Sequence, residues 1–156
     1  MTRLLVSLLS LALLLGCKSA DKPAASGDPE ERVVTYLKAN LAPGKPVMVT
    51  ELYNEVFTTP EEQAAVKRLY DATFELPAFI ASTQINTGKI PTLQEITNHF
   101  SFKVPGTTEV LLRVLETDPR VPPFFQRDPS TGEIKAVNVD AIRNADRFGK
   151  PLQDAR

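Results

Sequence analysis

The 156-residue chain has one cysteine, one histidine and no tryptophan. A single cysteine excludes an intrachain disulfide. A zinc site draws three or four ligands mainly from histidine and cysteine, and this chain has too few. Its seven glycines form no Gly-rich phosphate loop. The net charge is −1, so bulk electrostatics attracts neither nucleic acid nor anionic lipid. No apolar run reaches the roughly 20 residues of a membrane-spanning helix. Proline, by contrast, is plentiful, and its thirteen copies mostly punctuate between periodic segments.

The first residues carry an address. Arg3 precedes an apolar run over residues 4–15, broken only by Ser7, Ser10 and Ala12, none of them charged. That length falls within the roughly 7–15 residues of a signal core. The run stops at Leu14-Leu15-Gly16-Cys17, with a leucine three places before the cysteine and a small residue just before it. These four residues resemble the lipobox of bacterial lipoproteins. The resemblance implies cleavage between Gly16 and Cys17, lipid attachment to the Cys17 thiol, acylation of the new amino terminus and anchoring outside the cytoplasm. Lys18, where inner-membrane lipoproteins carry aspartate, resembles the outer-membrane pattern of a diderm host. In a monoderm host the protein would sit on the outer face of the plasma membrane. The plainer alternatives are a secretory signal with an incidental cysteine, or a buried N-terminal helix.

Loss of Arg3 with residues 1–16 would move the net charge from −1 to −2. About 140 residues would remain, enough for one domain with its own core. Residues 17–27 read as the lipidated cysteine and a polar, non-periodic tether. Residues 28–147 read as the domain, and 148–156 as a low-order tail.

Within the domain, Asp28-Pro29-Glu30-Glu31 is a helix start with an expected capping box. Val33, Val34, Leu37 and Leu41 follow at helical spacing. Residues 47–49 are expected as a short strand and residues 50–57 as a short helix. Thr59-Pro60-Glu61-Glu62 repeats the start signal and opens a stripe running from Val66 to Ala81. Pro77 is expected to kink or split that helix. Thr92 and Glu95 predict a third box ahead of Leu93, Ile96 and Phe100. Thr107 or Thr108 is expected to cap a helix that closes at Asp118-Pro119. Residues 123–127 and 133–137 alternate like strands around a hairpin turn at Asp128-Pro129-Ser130-Thr131-Gly132. A last short helix is expected over 138–145.

The fold class is therefore mainly α with a C-terminal β-hairpin in a single domain. Over residues 92–137 the order of elements resembles a winged helix-turn-helix domain, with 128–132 as the wing tip. In DNA-binding members the second helix of that motif reads the major groove with basic or amide side chains. Here that helix carries Glu109, Glu116 and Asp118 against Arg113 alone, and it would repel phosphates. In the wing, Arg127 and Lys135 are offset by Asp128 and Glu133. No nucleic acid partner is expected.

Catalytic candidates are few. His99 reads as a surface residue near a helix C-terminus, favoured there by the helix dipole. Glu30, Glu31, Glu61 and Glu62 are explained by first helical turns. Asp128, Thr131 and Glu133 lack calcium-loop spacing, and Phe124-Phe125 reads as hairpin packing. Tyr53, Tyr70 and Phe79 read as core. No catalytic residue, cofactor or metal is assigned. The leading expectation is an envelope lipoprotein whose domain is a non-catalytic protein-interaction module, with Glu109, Arg113, Glu116, Phe124 and Phe125 as its contact surface and an envelope protein as its partner. The alternatives are an envelope enzyme or small-ligand binder with a pocket near His99, and a cytoplasmic winged-helix DNA-binding regulator.

Overall fold

The computed structural model describes residues 27–145. Gly16, Cys17 and the rest of the lipobox-like segment lie outside them, as do most of the tether and the C-terminal residues from 146. In chain order the elements are helices α1 (Pro29–Asn40), α2 (Val49–Glu51, continuing as a π-helical turn over Leu52–Val56), α3 (Pro60–Thr87), α4 (Leu93–His99) and α5 (Thr107–Thr117), strands β1 (Phe125–Arg127) and β2 (Ile134–Val137), and helix α6 (Val139–Asn144). The described chain is thus mainly helical with one two-stranded antiparallel sheet late in sequence. Among the described residues, no helix is long and apolar enough to cross a membrane.

Helix α3 is the spine, with α1, α5 and α6 packed against it. Its buried side chains include Val66, Leu69, Leu76 and Ile80, and they meet Val33, Val34 and Leu37 of α1 and Leu111 and Leu112 of α5 in one core. Each such side chain contributes about 1.5–3 kcal/mol on leaving water. A smaller cluster of Ala81, Phe124 and Ile142 seats the hairpin and α6 on the far half of α3.

Capping follows the sequence at α3 and α4. Thr59 with Glu62, and Thr92 with Glu95, close reciprocal boxes. Gly88, at φ 71°, ends α3 in the left-handed region. Two caps differ from expectation. Asp28 accepts from the Glu30 amide at 2.8 Å, and no box forms with Glu31. Glu30 is instead buried beside Arg68. Helix α5 is entered from Gly106 at φ 78°, not capped by a threonine. Thr107 and Thr108 are buried in its first turn, where Thr107 Oγ1 donates to the Val104 carbonyl and Thr108 Oγ1 meets Thr97 Oγ1 at 2.7 Å. Their hydroxyls are thus engaged away from the helix end.

Residues 47–49 do not form a strand; Met48 stands at the N-terminus of α2 instead. Among the described residues the sheet consists of β1 and β2 alone, and residues 47–49 do not pair with it. Pro77 does not split α3, which runs through it unbroken for 28 residues. Buried Ala72, Thr73, Leu76 and Ile80 hold the turns on both sides, and that packing outweighs one missing backbone hydrogen bond.

Two ion pairs lock α1 to α3 in opposite senses. Arg32 reaches Glu62 at 3.0 Å, and Glu30 receives Arg68. Arg68 also donates to the carbonyls of Phe100 and Ser101, and Glu30 accepts from the Lys103 amide. One polar cluster therefore fastens α1, α3 and the α4–α5 turn. In the hairpin, Phe125 pairs with Val137 and Arg127 with Ile134, with a register irregularity after Gln126. Asp128 organises the turn by accepting from the amides of Ser130 and Thr131, while Gly132 supplies φ 75°.

Candidate functional site

The main concavity lies between α1, α2, α3 and α5 and encloses about 480 Å³. Its floor is core: Val33 from α1, Val66 and Leu69 from α3 and Leu111 from α5, each almost fully buried. Its mouth is formed by the α2 segment, with Val47, Met48, Val49 and Thr50, and by Arg120 and Val121 beyond α5. Met48 is 44% exposed, one of two large apolar side chains that stand out in solvent among the described residues.

Helical periodicity explains the shape. Val66, Leu69 and Thr73 recur on one face of α3, and Leu111, Val114 and Leu115 on the facing side of α5. The α2 segment arrives from the Pro43–Pro46 turn, where the Gly44 amide donates to the Thr117 carbonyl and ties the turn to the end of α5. It leaves the cleft open along one side.

Polar groups in the wall are few. Thr73 spends its hydroxyl on the Leu69 carbonyl at 2.7 Å. Tyr70 meets Phe74 edge-on, with ring centroids 4.6 Å apart. At the rim Arg120 clasps Asp118 through Nε at 2.8 Å and a terminal nitrogen at 2.7 Å. The Asp118 carboxylate pushes the Arg120 pKa up, chiefly through these hydrogen bonds. The cleft can therefore exclude water and hold an apolar body, with one ion pair at its edge. Among the described residues, its wall contains no cysteine, histidine or serine.

Two smaller concavities adjoin other elements. One, of about 200 Å³, shares Leu115, Asp118 and Val121 with the main cleft and continues to Pro122, Phe124 and Phe125. The other, of about 410 Å³, is a shallow surface between α3 and the α4–α5 turn.

The residues singled out in sequence do not converge. His99 is exposed at the end of α4, with its ring stacked on Phe79 at 3.8 Å and edge-on to Phe100. It lines none of these three concavities. Glu109, Arg113 and Glu116 are exposed along α5. Glu116 is held by Arg127 of β1 at 2.9 Å. Phe124 is only 3% exposed and belongs to the cluster under α6, while Phe125 is half-buried beside it. Lys135 is matched by Asp128 at 2.7 Å, and Glu133 accepts from the Leu93 amide.

Sequence reasoning missed the cleft. Its floor residues read as ordinary core stripes, and its mouth read as a strand. The one available signal was Val47-Met48-Val49, an apolar triplet after proline with no periodic partner. No protein-family model, curated protein or solved structure matches this chain.

Proposed function

We propose that the chain is an exported lipoprotein, anchored through a lipid on Cys17, whose domain is a non-catalytic binding module that uses the α1–α2–α3–α5 cleft. The cleft carries the reading. Its volume of about 480 Å³ lies within the usual range for small-ligand sites, which are concave and mostly apolar. Its wall offers little for acid–base or nucleophilic chemistry and much for hydrophobic contact. The Leu14-Leu15-Gly16-Cys17 pattern supplies the address, and Lys18 favours the outer membrane in a diderm host.

We read α4, the 101–106 turn, α5 and the hairpin as a winged-helix-like arrangement. The ion pair from Arg127 to Glu116, which seats the hairpin on α5, supports that reading. A nucleic acid partner is disfavoured, because α5 presents Glu109 and Glu116 and the wing cations Arg127 and Lys135 each face a carboxylate. The α5–hairpin surface is a weaker candidate for an envelope protein partner than the cleft, since Phe124 is buried and Glu116 is engaged. A ligand site around His99 has less support still, because that ring is stacked on Phe79 and lines none of the concavities described.

Fractionation of cells expressing wild type and Cys17→Ser tests the address. Wild type is expected in membranes and resistant to salt extraction, whereas the variant loses its lipid-dependent retention. Identical extraction of the two proteins contradicts the anchor. An apolar fluorescent dye, 8-anilinonaphthalene sulfonate, tests the cleft: Val114→Trp is expected to cut its binding several-fold, and unchanged binding contradicts the site.

A further inference from the structure

We propose that the cleft takes one long acyl chain, and that this acyl chain is the one carried by Cys17 of the same molecule. Such self-occupancy rests on the reading of Cys17 as lipidated and names what fills the binding site.

A volume of about 480 Å³ suits one slender ligand. A twelve-residue helix, the length of the apolar run 4–15, is about 18 Å long and 10–12 Å wide, several times too large to enter. The depth is aliphatic, from Val33, Leu69 and Leu111, and the Thr73 hydroxyl is already engaged. A ligand with polar groups along its length would give up hydrogen bonds to water there and regain few. A hydrocarbon chain gives up none. The Asp118–Arg120 pair stands at the rim, where the polar end of an acyl group would emerge.

Reach favours the molecule's own lipid over a diffusing one. Ten residues, 18–27, separate Cys17 from Asp28. Fully extended they span at most about 33–36 Å. They lead into α1, whose Val33 and Leu37 line the cleft. At 1.5 Å per residue Val33 lies only about 6 Å along the helix from Pro29. A short tether holds its end at about millimolar effective concentration, which a sparingly soluble free lipid does not match in water. Withdrawing one of the three acyl chains of a fully acylated Cys17 leaves two in the bilayer, which still anchor the protein stably.

The test titrates palmitate into two proteins in the same non-ionic detergent: the full chain carrying Cys17→Ser, and lipidated wild type extracted from membranes. The Cys17→Ser protein is expected to bind palmitate one to one by calorimetry. Lipidated wild type is expected to bind at least tenfold more weakly, because its own acyl chain fills the site. Adding Val114→Trp to the Cys17→Ser protein is expected to weaken binding at least tenfold with an unchanged circular dichroism spectrum. If that variant fails to fold, Met48→Trp at the exposed mouth replaces it. Absent binding by the folded Cys17→Ser protein overturns the acyl site, and so does binding that is indifferent to the folded cleft variant. Equal binding by lipidated and unlipidated proteins overturns self-occupancy and assigns the cleft to a diffusing lipid. Intact mass of the wild-type sample separates these failures from a wrong reading of Cys17: a chain without lipid overturns the anchor and the internal source, whatever the palmitate titration gives.

Discussion

Arg127 Nε lies 2.9 Å from Glu116 Oε1, joining the hairpin to the solvent face of α5. Read singly, these residues suggested a wing cation and an acidic contact surface; in the fold each neutralises the other. Both are partly exposed, so the pair is expected to contribute about 0.5–1 kcal/mol. A double-mutant cycle with Glu116→Gln and Arg127→Gln, followed by urea unfolding, measures that coupling. Additive effects of the two substitutions would show that something else holds the hairpin.

Glu62 is 2% exposed, caps α3 through the Thr59 amide and pairs with Arg32. Removing it leaves the partly buried Arg32 guanidinium without its carboxylate, and Arg32 Nε already has no hydrogen-bond partner among the described residues. Glu62→Ala is expected to cost about 3–5 kcal/mol, as for other broken buried pairs. Thermal unfolding with calorimetry checks the value. A cost below about 1 kcal/mol, the range of surface pairs, contradicts the assignment.

Gly106 enters α5 at φ 78°, and a Cβ placed there would meet Lys38 Nζ at 3.3 Å. The lysine tip can move aside, but the backbone conformation cannot relax without moving α5. Gly106→Ala is therefore expected to destabilise by about 1–2 kcal/mol. Gly106→Asn should cost less, because asparagine tolerates the left-handed region better. Equal stability of all three proteins in urea would place the entry to α5 differently.

Acid sensitivity should begin at two carboxylates, exposed Glu95 and partly buried Asp128. Hydrogen bonds from the backbone and hydroxyl of Thr92 hold Glu95 below its ordinary value of 4.5. Lys135 first, then Ser130, hold Asp128 well below its ordinary 3.8. Folded values below the unfolded ones mean that both contributions are whole above about pH 4.5 and are lost as pH falls through the folded values. Asp128→Asn should flatten part of the stability loss below pH 3.8 and leave pH 7 stability lower than wild type. A wild-type profile that is flat down the acid limb contradicts both assignments.

Element order was legible because its signals are local. Thr59 with Glu62 and Thr92 with Glu95 sit three residues apart, Gly88 directly follows Thr87 at the end of α3, and Asp128 to Gly132 is a turn by composition. The misreadings arose where distant residues decide. Glu30 fitted a first helical turn, yet Arg68, 38 residues away, fixes its role. Thr108 looked like a cap, yet its hydroxyl meets that of Thr97 on the preceding helix, 11 residues away. Phe124 and Phe125 were read both as hairpin packing and as part of a contact surface; Phe124 packs under α6, and nothing in the hairpin itself shows that. The cleft was invisible for the same reason. Val33, Leu69 and Leu111 carry the pattern of filled core, and only the placement of the α2 segment leaves space between them.

The proposed address of this domain shapes how the cleft is to be understood, and that proposal rests on Cys17. Intact-mass spectrometry of the protein extracted from membranes measures it most directly. The account predicts a chain beginning at Cys17, carrying a diacylglyceryl group and an amide-linked acyl chain, and reverting to the unmodified precursor mass with Cys17→Ser. A wild-type chain that retains residues 1–16, or begins elsewhere with no lipid mass, would contradict it.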